Sequence, residues 1–98
     1  MDYDTVVVGG GPAGVSSAIY AKRSGVSILV IDKGMIGGQV MDAADIENYP
    51  GFPRIKGAEL AMKFAEHLRS LDIPTKMGSV EKIERVEGGF RISVGGEE

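Results

Sequence analysis

Tyr3-Asp4-Thr5-Val6-Val7-Val8-Gly9-Gly10-Gly11-Pro12-Ala13-Gly14 opens the chain and decides its fold. The β-branched run over residues 3–8 predicts a buried strand, and three successive glycines force a sharp turn out of it. Pro12 fits the first turn of a helix, where its missing N–H costs no intrahelical bond. That helix is expected to run to Ser24, with Ala13, Ser17, Ala18 and Ala21 as a small-residue face that lies close on a sheet. Gly25 stops it. Residues 26–31 read VSILVI, the almost wholly apolar pattern of a strand buried on both faces of a parallel sheet. Strand, helix and strand make a right-handed βαβ unit.

Beyond this unit, residues 32–53 lack clear periodicity and hold Gly34, Gly37, Gly38, Pro50, Gly51 and Pro53. Their apolar and aromatic content, including Met35, Ile36, Val40, Tyr49 and Phe52, predicts an ordered loop that contacts a ligand rather than a disordered linker. Residues 57–71 are amphipathic: Leu60, Phe64, Leu68 and Leu71 fall on one stripe, with Lys63, Glu66, His67 and Arg69 largely off it. Asp72 and Pro74 end that helix. Residues 74–77 suit a short third strand. Residues 80–86 and 90–94 flank Glu87-Gly88-Gly89 as a β-hairpin, and Gly95 to Glu98 read as a further turn.

The chemistry concentrates in the glycine turn, which satisfies G-x-G-x-x-G between a strand and a helix, with Asp32 lying 18 residues past Gly14. Gly9 permits the tight turn, Gly11 lets a pyrophosphate approach the backbone, and Gly14 lets the helix pack on the strand. Unpaired N–H groups and a partial positive charge at the helix start attract the pyrophosphate. Asp32, at the end of the second strand, accepts hydrogen bonds from adenosine ribose hydroxyls and repels a 2′-phosphate. The plain alternatives are a glycine turn that binds nothing and a surface acid at a strand end. The motif alone leaves FAD and NAD both open.

Composition narrows the class. With 98 residues the chain holds one small domain at most. The 15 glycines cluster in doublets and triplets rather than at period three, which excludes collagen. A net charge of −3 with no Lys- or Arg-rich run argues against nucleic acid as a partner. There is no cysteine, hence no disulfide, thiolate zinc site or redox thiol. Residues 6–21 are uncharged but too short for the roughly 20 residues a bilayer requires, and glycines and Pro12 interrupt them. Asp2 and Asp4 stand where a secretory leader carries positive charge, so a cytoplasmic location is expected, without a membrane partner. His67, the sole histidine, reads as a solvated surface residue, Tyr49 and Phe52 as packing anchors, and the methionines as packing. Glu81, Glu84 and Glu87, interspersed with Lys82 and Arg85, read as a solvated strand face.

Gly37-Gly38-Gln39-Val40, followed by Ile46-Glu47-Asn48-Tyr49-Pro50-Gly51-Phe52-Pro53, resembles a stretch shared by the thioredoxin reductases and their close flavoprotein relatives. VVVGGGPAG at 6–14, SSAIYAKRSG at 16–25 and Gly57-Ala58-Glu59-Leu60 resemble the same family, in the same order, over essentially the whole chain. The resemblance implies an α/β fold: an incomplete Rossmann-like FAD-binding domain, with a three-stranded parallel sheet, two helices and a β-hairpin, lacking the later strands. It implies FAD as the ligand. The pyrophosphate is expected on Gly9, Gly11, Pro12, Ala13 and Gly14, and the adenosine ribose on Asp32, with Lys33 beside it. Gly38 and Gln39 are expected along the ribityl–flavin portion, Asn48 at the flavin end, and the backbone of Val80 at the adenine. Neutral amides such as Gln39 and Asn48 offer the donors and acceptors that ribityl hydroxyls and flavin carbonyls need; local loop capping is the alternative. These residues bind rather than make bonds, so no catalytic residue is named.

Family members are longer, and carry an NADPH-binding domain with a Cys-x-x-Cys pair that this chain lacks. Residues 1–98 are therefore expected to be the N-terminal part of an FAD domain, inactive alone. The parent protein would pass electrons from NADPH through FAD to the disulfide of a thioredoxin-like partner. Two alternatives remain: a flavoprotein acting on ferredoxin or supporting peroxide reduction, and a non-catalytic dinucleotide-binding module. The far edge of the first strand is expected to be unpaired, which predicts instability, a homodimer through that edge, or association with the remainder of the protein.

Overall fold

The computed structural model describes residues 2–34 and 36–95, with Gln39 and Met41 described by backbone alone. β1 (Thr5–Val8) runs into α1 (Pro12–Arg23), and β2 (Ile28–Asp32) follows. After a long connection, α2 (Gly57–Ser70) leads to β3 (Thr75–Met77) and then to the hairpin strands β4 (Val80–Val86) and β5 (Gly89–Val94). β1, β2 and β3 form a parallel sheet in that order, with Val7 opposite Val30 and Ile31 opposite Lys76. Among the described residues, β1 thus has a neighbour on one side only. The architecture is the α/β arrangement the sequence predicts. No helix among the described residues is long and apolar enough to cross a membrane.

β2 is the core strand. Val30 and Ile31 are successive residues, 0% and 2% exposed. Successive strand side chains point to opposite faces, so both faces are covered there. Val15 and Ala18 of α1 and Leu60, Phe64 and Leu68 of α2 pack against Ile28 and Val30. Each large apolar side chain buried in this way contributes about 1.5–3 kcal/mol.

Both early strands start later than the sequence suggests, for one reason. Asp4 and Ser27 exchange hydrogen bonds: the Asp4 N–H donates to Ser27 Oγ at 2.8 Å, and the Ser27 N–H donates to Asp4 Oδ2 at 2.9 Å. Side chains thereby take over from the backbone ladder, which begins only at Thr5 opposite Ile28. The small-residue face of α1 is also corrected. Ala13 and Ser17 are exposed, and the Ser17 hydroxyl donates to the Ala13 carbonyl at 2.9 Å. The helix phase is set by Gly14, where a Cβ would collide with the Gly9 carbonyl; Ala18 and Ala21, four and seven residues on, share that close face.

The stripe on α2 is seen as expected through Leu68, while Leu71 caps the helix and is half-buried. The helix closes with paired bonds: the Ile73 N–H donates to Leu68 C=O at 3.0 Å and the Asp72 N–H to Arg69 C=O at 3.0 Å. This is a Schellman closure, and Asp72 adopts the left-handed conformation it requires, at φ 56°. Between β2 and α2 the expected irregular loop contains a short 3-10 turn over Gly38–Asp42. An isolated antiparallel bridge joins Ile46 to Ile55, with Arg54 and Asp45 paired at 3.0 Å beside it. Tyr49 lies 5.7 Å, centroid to centroid, from Phe64, so the loop aromatics pack on the core as expected. The hairpin turns at Glu87-Gly88, with Gly89 already paired to Val86. Glu84 on β4 faces Lys82 at 3.7 Å and Arg91 at 3.5 Å, a solvated charged face as read from the sequence. Met35 and residues 96–98 lie outside the described residues.

Candidate functional site

The glycine turn joins the C-terminal end of β1 to the start of α1. The Gly9 N–H donates to the Ile31 carbonyl at 2.7 Å, and Gly9 turns at φ 110°, a value open to glycine. Gly14 brings the helix against that turn. Gly11 differs from both: its φ is −77°, and a Cβ there would meet nothing within 4 Å. The space in front of it is open.

The first intrahelical bond is donated by the Val15 N–H to Gly11 C=O at 2.9 Å. Pro12 has no N–H, so the amides of Gly11, Ala13 and Gly14 precede the helical ladder and remain available to a ligand. No acidic residue lies in the first turn of α1, while Lys22 and Arg23 lie in its last. The positive end of the helix dipole is therefore left for an external anion, and the negative end is compensated within the chain.

Asp32 stands at the end of β2, half-buried. Its Oδ2 accepts the Gly10 N–H at 2.6 Å and its Oδ1 accepts the Gly34 N–H at 2.8 Å. Its carbonyl accepts the Gly78 N–H at 2.8 Å, which draws the start of the hairpin, and Val80 two residues on, toward the same strand end. A carboxylate has about four lone-pair sites, so two remain for ribose hydroxyls. Lys33 follows on the exposed side.

The loop after Asp32 folds back over the turn. The Gly37 N–H donates to Gly10 C=O at 2.7 Å, and a Cβ on Gly38 would come within 3.5 Å of Gly11 Cα. Ile36 covers Gly10 so closely that a Cβ on Gly10 would lie 2.7 Å from its Cδ1. The structure therefore brings together Gly9, Gly11, Pro12, Ala13, Gly14, Asp32 and Gly38. Gln39 follows Gly38 in the 3-10 turn by its backbone; its side chain lies outside the described residues. Asn48 is exposed in the bend before Tyr49, and among the described residues no hydrogen bond ties its side chain to the turn. His67 is exposed on α2, as expected.

Sequence reading named Gly34 and Ile36 only as members of a ligand-contacting loop, without a role at the turn, and did not single out Gly78. Gly34 and Gly78 act through backbone N–H groups and Ile36 through contact with a glycine, and none of these leaves a side-chain signature. The middle glycine of the triplet was the available clue, since the motif does not require a glycine at that position.

Two surface clefts flank the site. One, about 420 Å³, lies between α1, α2 and the Tyr49–Phe52 loop and includes no residue of the glycine turn. The other, about 410 Å³, starts at Asp32 and Gly34 and runs along Ala58, Ala61 and Met62 of α2. The converging backbone donors lie at the turn, so the chemistry places the candidate site there rather than in the cleft between α1 and α2.

Comparison with known proteins assigns the chain to a family. Residues 3–97 match the profile of the family described as pyridine nucleotide-disulphide oxidoreductase. The thioredoxin reductase of Bacillus subtilis is 40% identical over 81 residues, covering 83% of this chain and 26% of that protein. The crystal structure of thioredoxin reductase from Streptococcus pyogenes superposes with a TM-score of 0.89 at 43% identity, covering 95% of this chain and 30% of the other. A ferredoxin-flavin thioredoxin reductase from Clostridium acetobutylicum superposes with a TM-score of 0.84 at 35% identity, over 95% of this chain and 32% of that one. The chain thus spans between 26% and 32% of the length of these relatives.

Proposed function

Because the chain belongs to the pyridine nucleotide-disulphide oxidoreductase family, we propose that it is the FAD-binding segment of a thioredoxin reductase-like flavoprotein that passes electrons from NADPH through FAD to a protein disulfide. The observation that carries this reading is the open space before Gly11, bordered by free amides at the start of α1 and by Gly38. A diphosphate fits such a cradle: it is anionic, accepts several N–H bonds, and needs backbone without a Cβ in its way.

In this reading the amides of Gly11, Ala13 and Gly14 hold the diphosphate, Gly9 and Pro12 shape the turn, and Asp32 accepts the adenosine ribose hydroxyls. Lys33 lies beside the adenosine, and the backbone of Val80 faces the adenine. Gly38 and Gln39 follow the ribityl chain, and Asn48 serves the flavin end. When bound, FAD supplies the redox chemistry, and the protein binds and orients it. The remainder of the protein brings NADPH, the redox disulfide and the contact with a thioredoxin-like partner. The free edge of β1 is where that remainder, or a second copy, would pair.

The test is to purify the full-length protein and measure its flavin content and its NADPH-dependent reduction of a thioredoxin disulfide. Stoichiometric FAD with disulfide reduction is expected; a protein that purifies without flavin and refuses added FAD would sink the reading. A second reading keeps the flavin and the disulfide but changes the donor, and is favoured by the similarity to a protein named a ferredoxin-flavin thioredoxin reductase. Bleaching of the bound flavin by reduced ferredoxin, but not by NADPH, would select it.

A further inference from the structure

We infer that Asp32 is a positioning residue for the diphosphate-binding amides, a role separate from any contact it makes with ribose. The inference rests on the FAD reading above and concerns the opposite end of the same site.

The argument starts from two consecutive peptide planes. A peptide is planar and trans, so an N–H and the C=O of its own peptide unit point in opposite directions. The Gly9–Gly10 unit is fixed by the 2.6 Å bond from the Gly10 N–H to Asp32 Oδ2. The Gly10–Gly11 unit is fixed by the 2.7 Å bond from the Gly37 N–H to Gly10 C=O. With that carbonyl turned toward Gly37, the Gly11 N–H must point the other way, away from the covering loop. The aim of the first diphosphate donor is therefore set by the groups that hold Gly10.

Asp32 controls both fixings. Its Oδ1 accepts the Gly34 N–H at 2.8 Å, at the root of the loop that delivers Gly37. One carboxylate thus holds both walls of the cradle, the β1–α1 turn at Gly10 and the covering loop at Gly34. It sits on a firm base, since Asp32 is paired with Met77 in the sheet and follows the buried Val30 and Ile31. Ile36, packed on Gly10, closes the arrangement from above. Glycine at positions 9, 10 and 11 makes the free turn easy to deform, so an external clamp has more to hold than in an ordinary loop.

The experiment compares two ligands on the full-length protein: FAD, and an FAD analogue whose adenosine ribose lacks both the 2′- and 3′-hydroxyls. Wild type, Asp32→Ala and Asp32→Asn are titrated with each. If Asp32 acts only on the ribose, the variants and wild type bind the analogue equally. The positioning role predicts that Asp32→Ala weakens the analogue by about tenfold or more, the size of a single charge-assisted hydrogen bond. Asp32→Asn keeps one acceptor and presents an NH₂ to the other amide, so an intermediate loss is expected. Should Asp32→Ala not fold, Asp32→Asn carries the test. Selective glycine labelling gives a second readout: the Gly10 and Gly34 amide protons should move upfield in the ligand-free variant and exchange faster. Equal binding of the analogue, or unmoved Gly10 and Gly34 amides, overturns the inference. Failure of the wild type to bind FAD at all would instead overturn the reading on which it rests.

Discussion

Gly11→Ala and Gly14→Ala should separate binding from folding within one motif. At Gly11 the backbone sits at φ −77°, which alanine adopts freely, and the new methyl meets no atom within 4 Å. The change lowers unfolded-chain entropy, worth about 0.4–1 kcal/mol in favour of folding. It also removes a glycine N-cap, which costs about the same or somewhat less. Stability of the cofactor-free protein should therefore stay within about 1 kcal/mol of wild type. Binding should not survive so well. A phosphate oxygen must come within about 2.7–3.2 Å of the helix-start amides, and the methyl occupies that approach. Losing one charge-assisted bond of about 1.5–3 kcal/mol weakens FAD by about tenfold to about 150-fold. At Gly14 the methyl would strike the Gly9 carbonyl, and helix and turn would have to separate. Overpacking of this kind costs about 1–3 kcal/mol, and backbone against backbone leaves little room to relax. Urea unfolding of the full-length apoprotein, beside fluorescence titration with FAD, reads both quantities. Normal FAD affinity in Gly11→Ala, or equal destabilisation of the apoprotein by the two changes, would refute the reasoning.

Asp72→Gly should stabilise the protein by about 0.5–1 kcal/mol, because glycine carries less penalty at the left-handed position that closes α2; the urea midpoint should rise with the slope unchanged. Leu68→Ala should cost about 2–5 kcal/mol, since Leu68 is 1% exposed and its removal leaves a cavity against Ile73 and β2; thermal unfolding should fall by several degrees. Arg54→Ala, by contrast, should change stability by less than about 1 kcal/mol, as its 3.0 Å pair with Asp45 is largely exposed; a large drop in the same measurement would mean the pair braces the loop more firmly than its setting indicates.

Much of this was legible from residue order. The apolar run after Gly25 gave β2, because burial on both faces leaves no polar alternation to misread. The β-branched run before the glycines gave β1, but the burial expected of it is not found, since β1 has one sheet neighbour among the described residues and Val8 is 54% exposed. The four-residue recurrence from Leu60 to Leu68 gave α2. Strand starts were less legible, since the Asp4–Ser27 exchange is a contact between side chains and backbone across 23 residues, and neither residue type announces it. The 3-10 turn over Gly38–Asp42 was hidden by its own glycines, which local propensity assigns to loop. At the site, the motif positions 9 and 14 were legible because each answers a steric demand of the fold itself. What holds Gly10 was not, because it depends on a carboxylate 22 residues away that the sequence presents only as a ribose acceptor.

The bond between the Gly78 amide and the Asp32 carbonyl has a mechanical side. It makes the foot of the hairpin and Asp32 neighbours on one post, while β4 and β5 extend from it as a lever about seven residues long. A load on the hairpin tip, from crowding or from an antibody raised against Phe90, would be felt first at that post. The amide proton to watch for such strain is the one on Gly78.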